Sequence, residues 1–392
     1  GRFHIDASIS GIDHSRILKE TLQEVTKSAH GIAEHLPEGV TLFNERGVFK
    51  QNHSLDIAGT LIEGERILIA AGARPRLADI PSLSGLPVMT SNDVFKLEQV
   101  PQSLLIVGGG YISTELGYFF SQMGTEVAIL DRNSTLLHRE DGEISSIFTE
   151  QFRQHAELKL NHAISSIKYE EDRFEVVMQH VERPEETSAL NVEKVLFATG
   201  RVPNSDRIGI ENTDLALDDR GFIQVDGMLK TNVANVWAMG DIVGSHLFTH
   251  AASYQAEHIL GQFFDGRDQP IDYEPMPHAV FSSPQIAGVG LTEEQLKAES
   301  KSYKTGTAAY TSAAMGRALK VEAGLVKFLV DDDGLILGCH IIGPEASVLL
   351  HEVIPIMKWQ NNIRSVTGII HIHPALNEVV RNAARKALAA IQ

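Results

Sequence analysis

The segment "QSLLIVGGGYISTELGYFFSQMGTEVAILDR" (residues 102–132) constrains the fold more than any other part of the chain. It predicts a buried strand that runs into Gly108 and Gly110, then a helix, then a second strand that ends at Asp131. Glycines at such a turn let helix amides face a pyrophosphate, and an acid after the second strand receives ribose hydroxyls. We therefore predict a strand-helix-strand dinucleotide-binding unit.

The helix of this unit has apolar residues at helical spacing, which we expect to pack on the sheet. They are Tyr111, Ile112, Leu116, Phe119 and Phe120. Ser113 replaces the third glycine of the usual turn pattern, and we expect its hydroxyl to widen the helix-to-strand packing slightly. Asp131 would repel a 2′-phosphate and so favours NAD(H), although Arg132 beside it offers a cation that would accept one.

An internal repeat points to a second unit of the same kind. "ERILIAAGARP" (65–75) and "EKVLFATGRVP" (193–203) share Glu, Leu, Ala, Gly and Pro, and each strand run ends at a glycine, Gly72 or Gly200. A third run, "ANVWAMGDI" (234–242), adds Asp241 just past a strand end, where open α/β sheets bind ligands. We interpret the repeat as two related nucleotide-binding units; chance similarity of short strand endings is the alternative.

Composition excludes several classes of protein. The 392 residues, 43% of them hydrophobic, suffice for two or three domains. The net charge of −17 argues against a nucleic-acid partner. No apolar run reaches the roughly 18 to 20 residues that span a bilayer, so we expect no membrane segment and a cytoplasmic location. The single cysteine, Cys339, forms no internal disulfide, and no Cys and His spacing predicts a metal site.

Residues after 268 are typical of a separate α+β unit. "GLVKFLVDDDGLILGCHIIGP" predicts a hairpin around "DDDG", with Cys339 as a small core residue. Helices are predicted at Ala346 to Trp359 and at Glu378 to Ile391, and an amphipathic helix near the amino terminus in "DHSRILKETLQEVTKSAHGIAEHL".

The closing stretch "HIHPALNEVV" (371–380) contains a candidate base. Glu378 follows His373 by five positions, and a carboxylate orients a catalytic histidine and stabilises its imidazolium. The alternative is a surface pair at a helix start, with Glu378 there for dipole reasons. We interpret His371 as a packing or hydrogen-bonding neighbour.

Several motifs occur together in one order: "GGGYISTELG", "ATGRVPN", "VWAMGD" followed by Thr249 and His250, "VFSSPQIAGVGLTEEQ" and "HPALNE". In these the whole chain resembles the pyridine nucleotide-disulfide oxidoreductases, most closely the dihydrolipoamide dehydrogenases. The resemblance implies an α/β fold with two Rossmann-like nucleotide-binding domains, the first incomplete, plus a C-terminal α+β dimerisation domain. The resemblance implies that residues 1–99 and 223–268 form the rest of the FAD-binding domain. Residues 100–222 would form the NAD-binding domain, and residues 269–392 the interface domain.

The resemblance also implies FAD and NAD as cofactors. Asp241 would accept hydrogen bonds from the ribityl chain, the backbone around Thr249 and His250 would approach the flavin ring, and Glu115 would lie near nicotinamide and flavin. The Gly47 backbone would contact the flavin adenine; the alternative is an ordinary turn glycine. For Glu115 the alternative is a solvated charge on the helix surface. The complete set of predicted cofactor-binding residues is Gly47, Gly72, Gly108, Gly110, Tyr111, Ile112, Glu115, Asp131, Ile164, Gly200, Asp241, Thr249 and His250.

The implied reaction is oxidation of dihydrolipoamide, or a related dithiol, with NAD as hydride acceptor. His373, held by Glu378, would be the base for a cysteine pair of the other subunit, which implies a homodimer; a 2-oxo acid dehydrogenase complex is a further implied partner. The family's N-terminal FAD-binding turn and Cys-x-x-x-x-Cys pair do not occur in these residues, so we expect a longer parent enzyme and an inactive fragment. The alternatives are an NAD(P)H-dependent reductase of glutathione or mycothione type, and a non-catalytic dinucleotide-binding, dimerising module.

Overall fold

The computed structural model describes residues 3–392, apart from the side chains of residues 28–30, 32, 33 and 81. The helices are α1 (His14–Glu34), α2 (Tyr111–Gln122), α3 (Gly142–Phe152), α4 (Thr249–Phe264), α5 (Glu293–Ala298), α6 (Ala314–Ala318), α7 (Ala346–Leu350), α8 (Val353–Trp359), α9 (Ile363–Thr367) and α10 (Asn377–Ala390). Among the residues described, no helix is both long enough and apolar enough to cross a membrane.

The strands are β1 (Gly47–Gln51), β2 (Ser54–Ile57), β3 (Thr60–Glu63), β4 (Ile67–Ile69), β5 (Ala73–Pro75), β6 (Met89–Thr90), β7 (Ser103–Val107), β8 (Glu126–Leu130), β9 (Glu157–Lys159), β10 (His162–Glu170), β11 (Arg173–His180), β12 (Thr187–Val192), β13 (Lys194–Phe197), β14 (Arg201–Pro203), β15 (Val236–Ala238), β16 (Pro277–Val280), β17 (Ile286–Gly290), β18 (Lys304–Ala309), β19 (Leu325–Val330) and β20 (Ile336–Ile342).

The chain forms two compact units. The first combines the chain up to Leu18 with Leu77–Thr199 and Glu274–Gln392, and the second combines Lys19–Arg76 with Gly200–Tyr273. Residues 77–99 group with the first unit, where β6 pairs with β13, and residues 200–222 group with the second, where β14 pairs with β5. The domain boundaries inferred from the sequence stay a prediction.

A parallel sheet in the order β6-β13-β7-β8-β9 is the centre of the first unit's dinucleotide-binding part. All five residues of β7 are buried, as expected for a central strand covered on both faces. Helices α2 and α3 cover one face, with Phe120, Phe148 and Phe152 in the core. The antiparallel sheet β10-β11-β12 packs its apolar side chains on the other face.

Helix α2 packs on this sheet through small residues as well as the predicted apolar ones. Its buried positions are Ser113, Thr114, Gly117 and Phe120, whereas Ile112, Leu116 and Phe119 are only half-buried. A side chain at Gly117 would lie 3.1 Å from Ile129 Cδ1, so the helix lies close to the strands. Of the predicted residues, Phe120 is buried in the core, and Tyr111, Leu116 and Phe119 pack half-buried against the same apolar cluster. The small residues Ser113 and Gly117, which were not predicted to face the sheet, let the helix approach the strands closely.

The C-terminal part of the first unit is an antiparallel sheet in the order β16-β17-β20-β19-β18, with α10 packed against β18 and β19. The predicted hairpin is confirmed as β19 and β20, and Cys339 is fully buried in the core. The predicted helix over 346–359 is two helices, α7 and α8. Pro355 lacks the N–H that would bond the carbonyl of His351, so the helix restarts at Val353. The predicted C-terminal helix is confirmed as α10 to within one residue at each end.

The second unit contains three small sheets, β1-β2-β3, β14-β5 and the parallel pair β15-β4. Its core includes Phe49, Ile69, Ile210, Val236 and Ile242. Helix α4 lies beside the turn that follows β15. The predicted amphipathic helix near the amino terminus is confirmed as α1, in which Leu18 is buried.

Candidate functional site

The predicted dinucleotide turn lies between β7 and α2. Gly108 has a φ of +114°, and a side chain there would lie 2.5 Å from the carbonyl oxygen of Ala198. A side chain at Gly109 would lie 2.9 Å from Asp131 Cγ. Gly110 is the N-cap of α2 and contributes no side-chain hydrogen bond to the helix amides. Backbone, carboxylate and helix amides therefore meet at a turn that only glycine permits.

Asp131 directly follows β8, as predicted, and its orientation is fixed by a residue that the sequence analysis missed. Asp131 Oδ1 accepts hydrogen bonds from Asn133 N at 2.8 Å and Asn133 Nδ2 at 2.7 Å. The same Nδ2 lies 3.2 Å from His138 Nδ1. An aspartate whose side chain bonds the backbone N–H two residues later forms a common local turn, and that pattern could have identified Asn133.

Two predicted residues on the first turn of α2 make polar contacts with more distant parts of the chain. The Tyr111 hydroxyl donates to Glu140, and Glu115 Oε1 accepts from Phe281 N at 2.9 Å. Burial raises the pKa of Glu115, and the Phe281 N–H offsets part of that rise. Ile112 is half-buried on the same turn.

Ile164, predicted among the cofactor-binding residues, is a half-buried residue of β10. It packs against the apolar cluster that contains Ile167 and Phe174. Its contribution to a nucleotide pocket stays a prediction.

The predicted flavin residues of the second unit surround the turn after β15. Asp241 lies in a single 3₁₀ turn, Gly240–Val243, and its Oδ2 accepts from Arg201 Nε at 3.1 Å. Arg201 Nη2 also donates to the carbonyl of Ala73 at 2.6 Å. Arg201 thus joins β14, β5 and the Asp241 turn.

Helix α4 begins at Thr249, followed by His250. The preceding residue, Phe248, offers no capping side chain. Gln255, which the sequence analysis missed, ties α4 to the same turn because its Oε1 accepts from Gly240 N at 2.6 Å.

The three remaining predicted glycines also lie in the second unit. Gly47 begins β1, where a side chain would contact Leu55 Cδ2 at 3.2 Å. Gly72 and Gly200 have φ values of +65° and +116°, a region that favours glycine. The Gly200 carbonyl accepts from Arg76 N at 2.9 Å.

His373 and Glu378 are brought together at the start of α10. His373 Nδ1 lies 3.0 Å and 3.1 Å from the two carboxylate oxygens of Glu378. The Glu378 side chain is 7% exposed, whereas that of His373 is 70% exposed. Although burial raises it, hydrogen bonds from Ala375 N–H and His373, with Arg381 nearby, hold the pKa of Glu378 below its ordinary value. The carboxylate is held by the protein, and the imidazole projects outward.

The surface beside His373 is apolar. Ile370 and Ile372 flank the buried His371, and both are largely exposed. His371 Nε2 lies 2.6 Å from Glu352 Oε1, so its predicted role as a hydrogen-bonding neighbour agrees with its position.

Comparison with known proteins identifies the family. The model named "Pyridine nucleotide-disulphide oxidoreductase" matches residues 5–256, and its dimerisation-domain model matches residues 276–384. The chain belongs to the pyridine nucleotide-disulphide oxidoreductases. Its curated relatives include the dihydrolipoyl dehydrogenase of Vibrio parahaemolyticus, 31% identical over 382 residues, which cover 95% of this chain and 79% of that protein. The Bacillus subtilis dihydrolipoyl dehydrogenase is 33% identical over 82% of this chain and 68% of that protein.

Solved structures of this family share the fold. The HOCl-induced flavoprotein disulfide reductase RclA from Escherichia coli superposes with a TM-score of 0.85 at 26% identity, covering 97% of this chain and 87% of that one. The predicted α/β class with two nucleotide-binding domains and a C-terminal dimerisation domain is therefore confirmed.

FAD and NAD(H) are the cofactors of this family. The residues fit both groups. The turn at Gly108, where a side chain would meet backbone, and the uncapped α2 suit a pyrophosphate, with Asp131 positioned for a ribose. The Asp241 carboxylate and the start of α4 at Thr249 would offer a flavin nucleotide an acceptor and helix amides.

Proposed function

We propose that this chain carries the base and most of the cofactor-binding residues of a homodimeric enzyme that oxidises dihydrolipoamide with NAD as the hydride acceptor. The observation that carries the proposal is the pair formed by an exposed His373 and a buried Glu378, 3.0 Å apart. An outward-facing imidazole backed by a fixed carboxylate is the arrangement of a general base.

The contacts support a separate role for each ring nitrogen of His373. Glu378 remains ionised because its pKa is lowered, and an ionised carboxylate only accepts hydrogen bonds. Nδ1 therefore carries a proton and donates it to Glu378, which leaves Nε2 of the neutral ring as the acceptor. Nε2 would take the proton from the dithiol, and Glu378 would stabilise the imidazolium that forms.

The cofactors would be held by the residues predicted for them. Gly108, Gly110 and Asp131 would hold NAD, and Asp241 with the backbone at Thr249 would hold FAD. When bound, FAD supplies two-electron transfer between a dithiol and NAD.

Cys339 is unsuited to the redox step. It is fully buried, and burial raises the pKa of its thiol, so it is neither ionised nor reachable at neutral pH. We propose that the reacting cysteine pair comes from outside these 392 residues, and that these residues alone do not oxidise dihydrolipoamide. The dimerisation-domain match supports a homodimer, and the exposed Ile370 and Ile372 beside His373 suit a subunit contact.

A low-molecular-weight disulfide reductase is the second candidate. The structural similarity to RclA, whose name describes a flavoprotein disulfide reductase, favours it. The two candidates use the same base and differ in substrate and in the direction of electron flow.

The test is steady-state turnover of the protein as encoded in its genome, with dihydrolipoamide and NAD in one arm and glutathione disulfide and NADPH in the other. We expect turnover with dihydrolipoamide, and losses of about 10² to 10⁴-fold in H373Q and E378Q. H351Q is the matched control, because His351 is exposed and bonds only locally, to the Ser347 carbonyl. Turnover only in the glutathione arm would replace the first candidate with the second, and unchanged rates in both variants would exclude His373 as the base.

A further inference from the structure

A buried polar cluster joins the dinucleotide turn to the C-terminal sheet, and two of its members, Glu140 and His278, have no part in the chemistry proposed above. Its centre is Glu140, whose side chain is 2% exposed. One carboxylate oxygen accepts from the Tyr111 hydroxyl, and the other lies 2.7 Å from His278 Nε2. Tyr111 is the first residue of α2, and His278 belongs to β16 of the dimerisation region.

The protonation states of Glu140 and Tyr111 favour the hydrogen bond between them. Although burial raises it, the contacts with His278 and Tyr111 hold the pKa of Glu140 below its ordinary value, so the carboxylate is ionised. Burial and the Glu140 charge raise the pKa of Tyr111, so its hydroxyl remains a donor. The rings of Tyr111 and His278 also stack, with centroids 6.2 Å apart and planes 18° apart.

Two further contacts connect the same segment to the same turn of the helix. Phe281 N donates to Glu115 Oε1 at 2.9 Å, and Ser282 Oγ lies 3.4 Å from the Thr114 carbonyl oxygen. We call His278, Phe281 and Ser282 the β16 clamp. The clamp holds the first turn of α2 at Tyr111, Thr114 and Glu115.

The loop that carries Glu140 is bonded to the glycine turn itself. Leu137 N donates to the Gly109 carbonyl at 2.7 Å, and Glu140 N donates to the Leu137 carbonyl at 2.9 Å. Space for the imidazole is provided across the sheet, where His278 pairs with Gly288 and a side chain at Gly288 would lie 2.7 Å from the ring. Displacing His278 would therefore affect both α2 and the turn.

We propose that His278 is a positioning residue for pyridine nucleotide binding, acting through Glu140 on Tyr111 and the glycine turn. The proposal rests on NAD binding at that turn and is independent of the identity of the dithiol. Loss of the imidazole leaves Glu140 with one partner and releases the first turn of α2, whose amides must point at the pyrophosphate.

The test is titration of NADH into the flavin-loaded protein without any dithiol, followed by fluorescence. We expect H278F, which keeps a ring but loses the donor, to weaken NADH binding about tenfold, and Y111F to do the same. Y111F removes a single hydroxyl, so its NADH affinity still tests the proposal if H278F folds poorly. The double variant H278F/Y111F should bind NADH no less tightly than the single variant with the lower affinity. Both changes act through Glu140, so their effects on affinity should not add.

Two more variants separate positioning from general stability. H278Q restores a donor and should bind NADH within about threefold of the wild type. Q151M is the matched control: Gln151 Nε2 of α3 donates to the Ala323 carbonyl of the C-terminal region at 2.8 Å, away from the turn, and its loss should leave NADH affinity unchanged. Equal affinities in H278F and Q151M, additive losses in the double variant, or no rescue in H278Q would each overturn the proposal. Failure of the dihydrolipoamide assay would leave it intact, because no dithiol is present here.

Discussion

Lys327 is a buried cation whose removal should destabilise the protein. Its side chain is 1% exposed, and Nζ lies 2.8 Å from Asp141 Oδ1 and 2.5 Å from Glu293 Oε2. Asp141 is itself fully buried and N-caps α3. In K327M the stem is kept and the charge is lost, so Asp141 becomes a buried carboxylate without a counter-ion.

Breaking a buried ion pair from one side costs about 3 to 5 kcal/mol, because one charge remains desolvated. We expect about 3 kcal/mol, since Asp141 keeps hydrogen bonds from Glu143 N and Glu293 N, each at 3.2 Å. K304M is the matched control. Lys304 and Asp332 are largely exposed and 3.8 Å apart, so that pair contributes at most about 1 kcal/mol.

The assay is urea unfolding of wild type, K327M, K304M, D141N and the double variant D141N/K327M, with midpoint and slope fitted for each. The double variant should lose less stability than the two single variants added together, because it leaves no unpaired charge at the fully buried position 141. A midpoint for K327M equal to that of K304M would refute the reasoning.

Acid should weaken the same network. Despite burial, which raises it, contacts with Lys327 and Tyr303 lower the pKa of Glu293 from 4.5 to about 2. Because its pKa is lower in the folded than in the unfolded chain, Glu293 contributes its full stabilisation above pH 4.5. That stabilisation is lost as the pH falls through about 2. Thermal midpoints between pH 5 and pH 2 should fall more steeply in wild type than in K327M.

Two further changes test other parts of the molecule. G306A should destabilise the C-terminal sheet by about 3 kcal/mol, because the new methyl would lie 2.5 Å from the Ala383 carbonyl oxygen of α10. A urea midpoint equal to that of wild type would contradict the close packing of β18 on α10. D131S should weaken NADH binding and reduce the preference for NADH over NADPH, because the carboxylate that repels a 2′-phosphate is gone. Titration with both nucleotides measures this, and an unchanged preference would remove Asp131 from the specificity determinants.

Features set by neighbouring residues were predictable from the sequence. The glycine turn, Asp131 after β8 and the "DDDG" hairpin each depend on a few consecutive side chains. In the hairpin, for example, the Asp331 carboxylate accepts from Asp333 N and Leu335 N, two and four residues away. His373 and Glu378 are equally close in sequence, so their contact could be anticipated.

Features set by distant residues were not predictable. The face of α2 that packs on the sheet contains Ser113 and Gly117 because close approach favours small side chains, and hydrophobic spacing does not report that preference. The contact of Glu140 with His278 joins positions 138 residues apart, and no local pattern links them.

Exposure distinguishes the candidate base from the other histidine–glutamate pairs of the C-terminal region. His371 and Glu352 are 2.6 Å apart, His278 and Glu140 are 2.7 Å apart, and His373 and Glu378 are 3.0 Å apart, so distance alone does not choose among them. A base must exchange its proton with a substrate, which requires a ring nitrogen that a thiol can reach. The histidine side chains are 0%, 19% and 70% exposed in that order. The two more buried pairs therefore suit structural roles. Of the three, only His373 with Glu378 has the accessibility that proton transfer requires.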